Sequence, residues 1–242
     1  MNHAFREAPM DKNAIRARIE EVGIIPAIRT SSAEGARFAA ETVSHAGIPI
    51  VEITMTVPGA LRVIAELARD LPDLVIGAGT VLNTEVARQS VDAGVGFLTS
   101  PGFDVQLVEF AVRRQVLALP GAATPTEVMA AWRAGADMIK IFPCAQLGGE
   151  SYIRALKAPF PTVPLIAAGG VNQHTAADFV RAGAVAIGVG TELIPRKAVE
   201  QRQGDWIMEL ARRFVNIVNE ARSVTPPRSH GPDRSRNPAK IV

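Results

Sequence analysis

The chain has 242 residues, 48% of them hydrophobic and 21% charged, which is ordinary globular usage and excludes fibrous repeats and wholesale disorder. Net charge is +2, but Arg222, Arg228, Arg234, Arg236 and Lys240 face only Asp233 in residues 222–242, so the remaining body is slightly acidic and has no electrostatic reason to seek nucleic acid or anionic lipid. A single cysteine, Cys144, excludes an internal disulfide, no apolar run approaches the roughly 18 residues that span a bilayer, and charges fall where a signal peptide needs its apolar stretch, so the expectation is a cytoplasmic protein.

Residues 1–22 read as a lead-in with a helix. The first short apolar run, 24–28, is followed by helical spacing over 33–44, a second run at 50–54 and helical spacing over 60–70. Strands at 74–78 and 97–99 flank a helix at 84–91; a helix at 105–113 leads to a strand at 116–119, and one at 126–134 to a strand around Lys140. Runs at 164–168 and up to Val189 enclose a helix at 176–181, and 205–220 carries Ile207, Leu210, Phe214, Ile217 and Val218 on one face as the last helix. Four of these junctions share an Ala-Gly turn, at Gly47, Gly94, Gly135 and Gly183, where glycine can end a helix in the left-handed conformation before a buried strand. The turns recur at about twice the length of a βα unit. Strands that are apolar without alternation belong to a parallel sheet covered on both faces. Eight β-then-α units in about 200 residues predict an α/β fold, a single-domain (β/α)8 TIM barrel over 23–221, rather than an open doubly wound sheet. Residues 222–242, with prolines, serines and scattered charge, read as a disordered basic tail.

In such a barrel the chemistry sits at the carboxyl ends of the strands. Lys140 is the most informative residue there, because it stands inside the apolar run Met138-Ile-Lys-Ile-Phe142 in a chain with few lysines. Desolvation favours the neutral amine, which can attack a carbonyl. Glu52, inside Ile50-Val-Glu-Ile-Thr54, is its natural partner as a general acid/base. A buried structural Lys–Glu pair across the barrel is the alternative, and the residues leave both open. Glycines after strands seven and eight (Gly169, Gly170, Gly188, Gly190), with Thr191, suit close approach of backbone N–H groups to an anion or, equally, tight turns. Arg29, after the first strand, can clamp an anion or pair with an acid. The segment Gly77-Ala-Gly-Thr-Val-Leu82 lacks the third glycine of a dinucleotide fingerprint. Cys144 reads as packing. His45 and His174, read as helix residues, have no companion ligands, so neither a metal nor a cofactor is expected.

Glu52-Ile-Thr-Met-Thr-Val-Pro58, Gly77-Ala-Gly-Thr-Val-Leu82, Ser100-Pro-Gly102, Pro120-Gly121 with Thr124-Pro-Thr-Glu127, Lys140-Ile-Phe-Pro143 and Gly169-Gly-Val171, in this order, resemble the 2-keto-3-deoxy-6-phosphogluconate / 4-hydroxy-2-oxoglutarate aldolase family. The resemblance runs from about Ile24 to Glu220 and implies a class I aldolase barrel, a homotrimer, that cleaves a phosphorylated keto-deoxy sugar acid to pyruvate and glyceraldehyde 3-phosphate. It implies that Lys140 forms the imine, that Glu52 is the acid/base, and that Thr80 and Pro101 line the pyruvate end. Arg29 falls near the substrate's anionic groups, and Gly169, Gly170, Gly190 and Thr191 on the phosphate loops. Two positions depart from the pattern. Thr56 stands where some members have an arginine for the pyruvate carboxylate, a task that passes to Arg29 and backbone amides. Ala168 stands where gluconate-type members have a threonine and galactonate-type members an apolar residue, which leaves the C4 stereochemistry open. An unphosphorylated 2-keto acid substrate, and a barrel that binds a phosphorylated ligand without turning it over, are the rival readings.

Overall fold

The computed structural model describes residues 10–223, so the expected tail over 224–242 lies outside the described residues. Among those described, the apolar runs form β1 (Ile24–Ile28), β2 (Ile50–Thr54), β3 (Val75–Gly79), β4 (Phe97–Thr99), β5 (Leu117–Leu119), β6 (Gly121–Ala122), β7 (Ile139–Ile141), β8 (Leu165–Ala168) and β9 (Ala186–Val189). The helices are α1 (Lys12–Val22), α2 (Ala33–His45), α3 (Ala60–Asp70), α4 (Thr84–Asp92), α5 (Val105–Arg113), α6 (Pro125–Arg133), α7 (Gly149–Lys157), α8 (Ala176–Arg181), α9 (Arg196–Glu200) and α10 (Gly204–Ser223). None is long and apolar enough to cross a membrane.

All pairings are parallel, in the order β5-β4-β3-β2-β1-β9-β8-β7-β6. Strands β5 and β6 are one barrel strand interrupted at Pro120, which has no N–H to give to a ladder. The ring closes across the break: the Ala118 carbonyl accepts from the Asp137 N–H and the Pro120 carbonyl from the Lys140 N–H, both at 2.9 Å. The fold is therefore the expected (β/α)8 barrel with its fifth strand in two pieces.

Strand alternation divides the apolar residues into two cores. One direction packs Ile24, Ile28, Val51 and Ile53 against the helices; the other places Ile25, Ile50, Val75, Phe97, Leu117, Met138, Ile166 and Ala186 inside the barrel. Ile15 and Ile19 of α1 join the inner cluster and plug the N-terminal mouth. One step further along the same inward face come Ala27, Glu52, Thr99, Lys140, Ala168 and Gly188, where packing gives way to a cavity.

Side-chain caps fix several of the loops that leave the carboxyl ends. Ser32, Asn83, Asp104 and Thr124 each accept a bond from the first turn of the following helix. At α6 the cap is reciprocal, with Glu127 accepting from the Ala123 and Thr124 N–H groups at 2.8 Å. The Ala123 N–H, chiefly, holds the Glu127 carboxyl below its ordinary value of 4.5. A lowered folded value means that this stabilisation is full above pH 4.5 and is lost as pH falls through the lowered value. Glu127→Ala is expected to cost about 1 kcal/mol at pH 7, a melting shift of roughly 2–4 °C, with the difference from wild type closing as the pH falls below 4.5 and through the lowered value. Thermal unfolding at both pH values checks this.

Three readings change. Helix α7, which opens on Gly148 and Gly149 like a loop, and the short α9 were not marked by spacing. The last helix runs to Ser223 rather than Glu220, and Arg222 belongs to it: the guanidinium donates to the carbonyls of Glu20, Glu21 and Val185, tying α10 to the end of α1. His174 lies in the turn ahead of α8, where its N–H donates to Asn172 Oδ1, rather than in a helix.

Candidate active site

The cavity opens at the carboxyl ends of the strands and has a volume of about 410 Å³, within the usual range for small-molecule sites. Lys140 rises from β7 and Glu52 from β2, with Nζ and Oε1 3.9 Å apart and side-chain exposures of 15% and 6%. The Lys140 ammonium also lies 5.3 Å from the centre of the Phe142 ring. Taking a lysine and a glutamate out of water costs more than their attraction returns unless further contacts help, so an apolar pair would serve stability as well. At 3.9 Å the pair is too long for a direct hydrogen bond, and both side chains face the same cavity, so a small group held there can reach the two of them.

Gly79 makes space for the carboxylate. A Cβ built on it would stand 2.0 Å from Glu52 Oε1 and 2.5 Å from the carboxyl carbon, so the glutamate occupies the volume a side chain would take. The next residue, Thr80, has φ 59°, a left-handed conformation that a β-branched side chain rarely adopts. Such strain persists where the surroundings hold it; here the Val81 N–H donates to the Thr99 carbonyl at 3.0 Å, pinning the turn to β4.

Seven of the nine expected site residues line the cavity: Arg29, Glu52, Lys140, Gly169, Gly170, Gly190 and Thr191. Thr80 and Pro101 do not. Thr80 is held in its turn, and the Pro101 carbonyl lies where a Cβ on Gly121 would be, 2.1 Å from that position, so the Ser100–Gly102 loop packs against the residue that pairs with Lys140. Arg29 makes no ion pair among the described residues and lines the cavity at the end of β1. Gly169 and Gly170 have φ of 86° and 80°, and a Cβ on Gly169 would meet Pro143 Cα at 2.9 Å; glycine is required there by backbone geometry alone. Thr56 is exposed and bonded to Thr54 Oγ1 at 2.8 Å, outside the lining. Ala168 is in the wall beside Gly169.

Thr99, Phe142, Asn172 and Glu192 also line the cavity without having been singled out as site residues. For Thr99 the signal was available, since Phe97 and Thr99 alternate on one face of β4. Cys144 is fully buried with its thiol 3.7 Å from the Gly149 carbonyl, and burial pushes it up to about 12. The thiolate is then absent at neutral pH. Iodoacetamide at pH 8 is expected to leave the native chain unmodified and to add one label in denaturant, read by intact mass. Among the described residues no group of three or more His, Cys, Asp or Glu side chains is placed to hold a metal ion.

The family described as KDPG and KHG aldolase matches residues 15–210. A 2-dehydro-3-deoxy-phosphogluconate aldolase of Pseudomonas aeruginosa is 33% identical over 204 residues, covering 84% of this chain and 92% of its own length. A KHG/KDPG aldolase of Escherichia coli is 30% identical over 192 residues, covering 79% and 90%. Among solved structures, the KDPG aldolase of Legionella pneumophila, with pyruvate captured at low pH as a covalent carbinolamine intermediate, superposes with a TM-score of 0.77 at 29% identity, covering 82% of this chain and 96% of that one. A barrel closed around a lysine and a glutamate, matched by these relatives along most of its length, places this chain in the KDPG and KHG aldolase family of carbon–carbon lyases.

Proposed function

We propose that the chain is a class I aldolase that cleaves a 2-keto-3-deoxy-6-phospho sugar acid, of gluconate or galactonate type, to pyruvate and glyceraldehyde 3-phosphate. The observation that carries this reading is the placement of Lys140 Nζ 3.9 Å from Glu52 Oε1 on the cavity floor. The Lys140 amine adds to the keto carbon, and loss of water gives a cationic imine. Glu52 takes the C4 hydroxyl proton, the C3–C4 electron pair flows into the imine as an enamine, and the aldehyde leaves. The enamine then takes a proton at C3, and hydrolysis returns pyruvate and the free amine. The carbinolamine captured in the Legionella relative is the first covalent species of this sequence.

Arg29 takes an anionic end of the substrate, and the backbone of Gly169, Gly170 and Gly190 with the Thr191 hydroxyl takes the phosphate. Thr80 and Pro101 act on the pyruvate end through the loops they shape. By the resemblance, the working unit is a cytoplasmic homotrimer, which light scattering of the purified chain tests.

Borohydride reduction in the presence of pyruvate, followed by intact mass and peptide mapping, tests the mechanism. A single adduct on Lys140 is expected. No adduct on a folded sample would put the non-catalytic phospho-ligand barrel first. One observation favours the second substrate reading, 4-hydroxy-2-oxoglutarate: the exposed acidic residue Glu192 is part of the cavity rim beside Thr191, and negative charge there disfavours a phosphate dianion. Comparable kcat/KM for phosphorylated and unphosphorylated substrates would select that reading.

A further inference from the structure

Two polar residues of the cavity lining, Asn172 and Glu192, have no part in the mechanism above. They belong to neighbouring loops. Strands β8 and β9 run in parallel with Ala168 opposite Gly188, and four residues beyond each of these positions the chain reaches Asn172 and Glu192.

The hydrogen bonds of the Asn172 loop fix which end of its amide is free. Oδ1 accepts from the His174 N–H at 2.9 Å and from the Thr175 N–H at 3.1 Å, while the Asn172 N–H donates to Thr175 Oγ1 at 3.0 Å. Both neighbours of the amide oxygen are donors, and a flipped amide would set N–H against N–H. The NH2 group is therefore held in one orientation on a half-buried residue of the cavity wall, with no hydrogen bond to another described residue. It can donate and cannot accept.

Glu192 supplies the opposite capability. Its loop is anchored on both counts that matter: the Leu193 and Ile194 N–H groups donate to the Gly190 carbonyl at 3.0 and 2.9 Å, and both residues are buried. Glu192 itself is exposed and makes no hydrogen bond or ion pair among the described residues. Arg29 does not neutralise it, although β1 and β9 are paired neighbours with Pro26 opposite Val189. A carboxylate only accepts hydrogen bonds.

A donor and an acceptor on adjacent loops match a group that does both. A hydroxyl qualifies; a phosphate dianion only accepts and is repelled by the carboxylate, and a methylene does neither. Asn172 and Glu192 follow the glycines at the ends of β8 and β9, whereas Lys140 and Glu52 stand on the cavity floor, so the hydroxyl they meet is remote from the keto carbon.

We propose that Asn172 and Glu192 are specificity-determining residues that bind a substrate hydroxyl beyond the cleaved bond. The site then selects 2-keto acids whose leaving aldehyde carries a hydroxyl on the carbon next to its carbonyl. The inference rests on the aldolase reading above and applies to sugar acids with or without the phosphate. Among unphosphorylated substrates, which the charge of Glu192 favours, the pair selects sugar acids over 4-hydroxy-2-oxoglutarate, whose leaving aldehyde is glyoxylate, with a carboxylate at that carbon.

The test is aldol addition of pyruvate by the full chain to D-glyceraldehyde and to 3-hydroxypropanal, which lacks only the hydroxyl at issue. Both aldehydes are uncharged, so the comparison reads hydrogen bonding and not repulsion. Wild type is expected to favour glyceraldehyde in kcat/KM by about tenfold or more. Glu192→Ala should bring that ratio to within about threefold of unity. Asn172→Asp keeps an oxygen for the His174 and Thr175 N–H groups and replaces the donating NH2 with an acceptor, and it should lower the ratio in the same way. Should Asn172→Asp fail to fold, Glu192→Ala, at an exposed position, decides alone. A wild-type ratio near one, or a ratio unchanged in the variants, overturns the proposal. So does a Lys140 adduct with pyruvate and borohydride without addition to glyceraldehyde, which would make phosphate the required group. Absence of that adduct in wild type would instead overturn the aldolase mechanism, so the two failures are told apart by the first sample.

Discussion

Lys140→Met is expected to lower turnover by on the order of 10⁴-fold or more while the barrel remains folded, because the amine is the covalent partner and no second lysine lines the cavity. Methionine matches the length of the lysine stem and keeps its contacts with the barrel wall, so the change removes the nitrogen and little volume. It does strand the Glu52 carboxylate at 6% exposure without its cation. Some loss of melting temperature is therefore expected, since breaking one side of a buried pair is costly. The two roles for the pair separate on this variant. As a structural pair, its disruption lowers stability and leaves turnover per folded molecule intact. As the imine pair, it loses turnover in full on protein whose circular dichroism is unchanged. Glu52→Gln gives the complementary result, a fall of roughly 10²–10⁴ in kcat, with Lys140 still trapped by borohydride at long times.

The strand positions of these two residues were legible in the sequence because they violate a local rule. A charge inside a run such as Met138-Ile-Lys-Ile-Phe142 has no place in a covered parallel strand unless something at the barrel centre uses it. The glycine loops and Arg29 were read from a different signal, their place just after strand ends, and they too line the cavity. Neither signal separated residues that line the cavity from residues that only stand near it. Thr80 and Pro101 were assigned to the pyruvate end, yet a left-handed turn holds the first in place and the Pro101 carbonyl is taken up against Gly121. Both facts come from how loops close over neighbouring strands, which one strand's sequence does not encode.

Thr99 shows the opposite failure. It obeys every local rule for a strand residue, so it drew no notice, although its alternation with Phe97 on one face of β4 turns it toward the barrel interior and the cavity it lines. The break in the fifth strand was hidden in the same way. Pro120 reads as a turn residue, but the parallel partners on its two sides let the chain pass through with one N–H missing and the ring still closed. Arg222 was misplaced by composition: its neighbours downstream are prolines and serines, and its carbonyl partners are about two hundred residues away.

Gly79→Ala is the second large effect expected, and it acts on catalysis through geometry. The added methyl would stand 2.0 Å from Glu52 Oε1, inside contact distance of an atom that has little freedom to move. Two responses are available. The carboxylate can rotate away, or β2 and β3 can separate. The second is opposed by their continuous register from Ile50 opposite Val75 to Thr54 opposite Gly79, the longest pairing in the sheet. The side chain is therefore the element that yields. A displacement of about 1 Å at the acid/base costs on the order of 10²-fold in kcat. KM should change little, because Arg29 and the glycine loops lie on other strands. A double variant with Glu52→Gln distinguishes this route from general damage. If the methyl works only by moving the carboxylate, then once the carboxylate function is gone it has little left to remove, and Gly79→Ala with Glu52→Gln should be no slower than Glu52→Gln alone by more than about threefold. Additive losses would mean that the alanine distorts the barrel itself, and the glycine would then be there for packing and not for the glutamate.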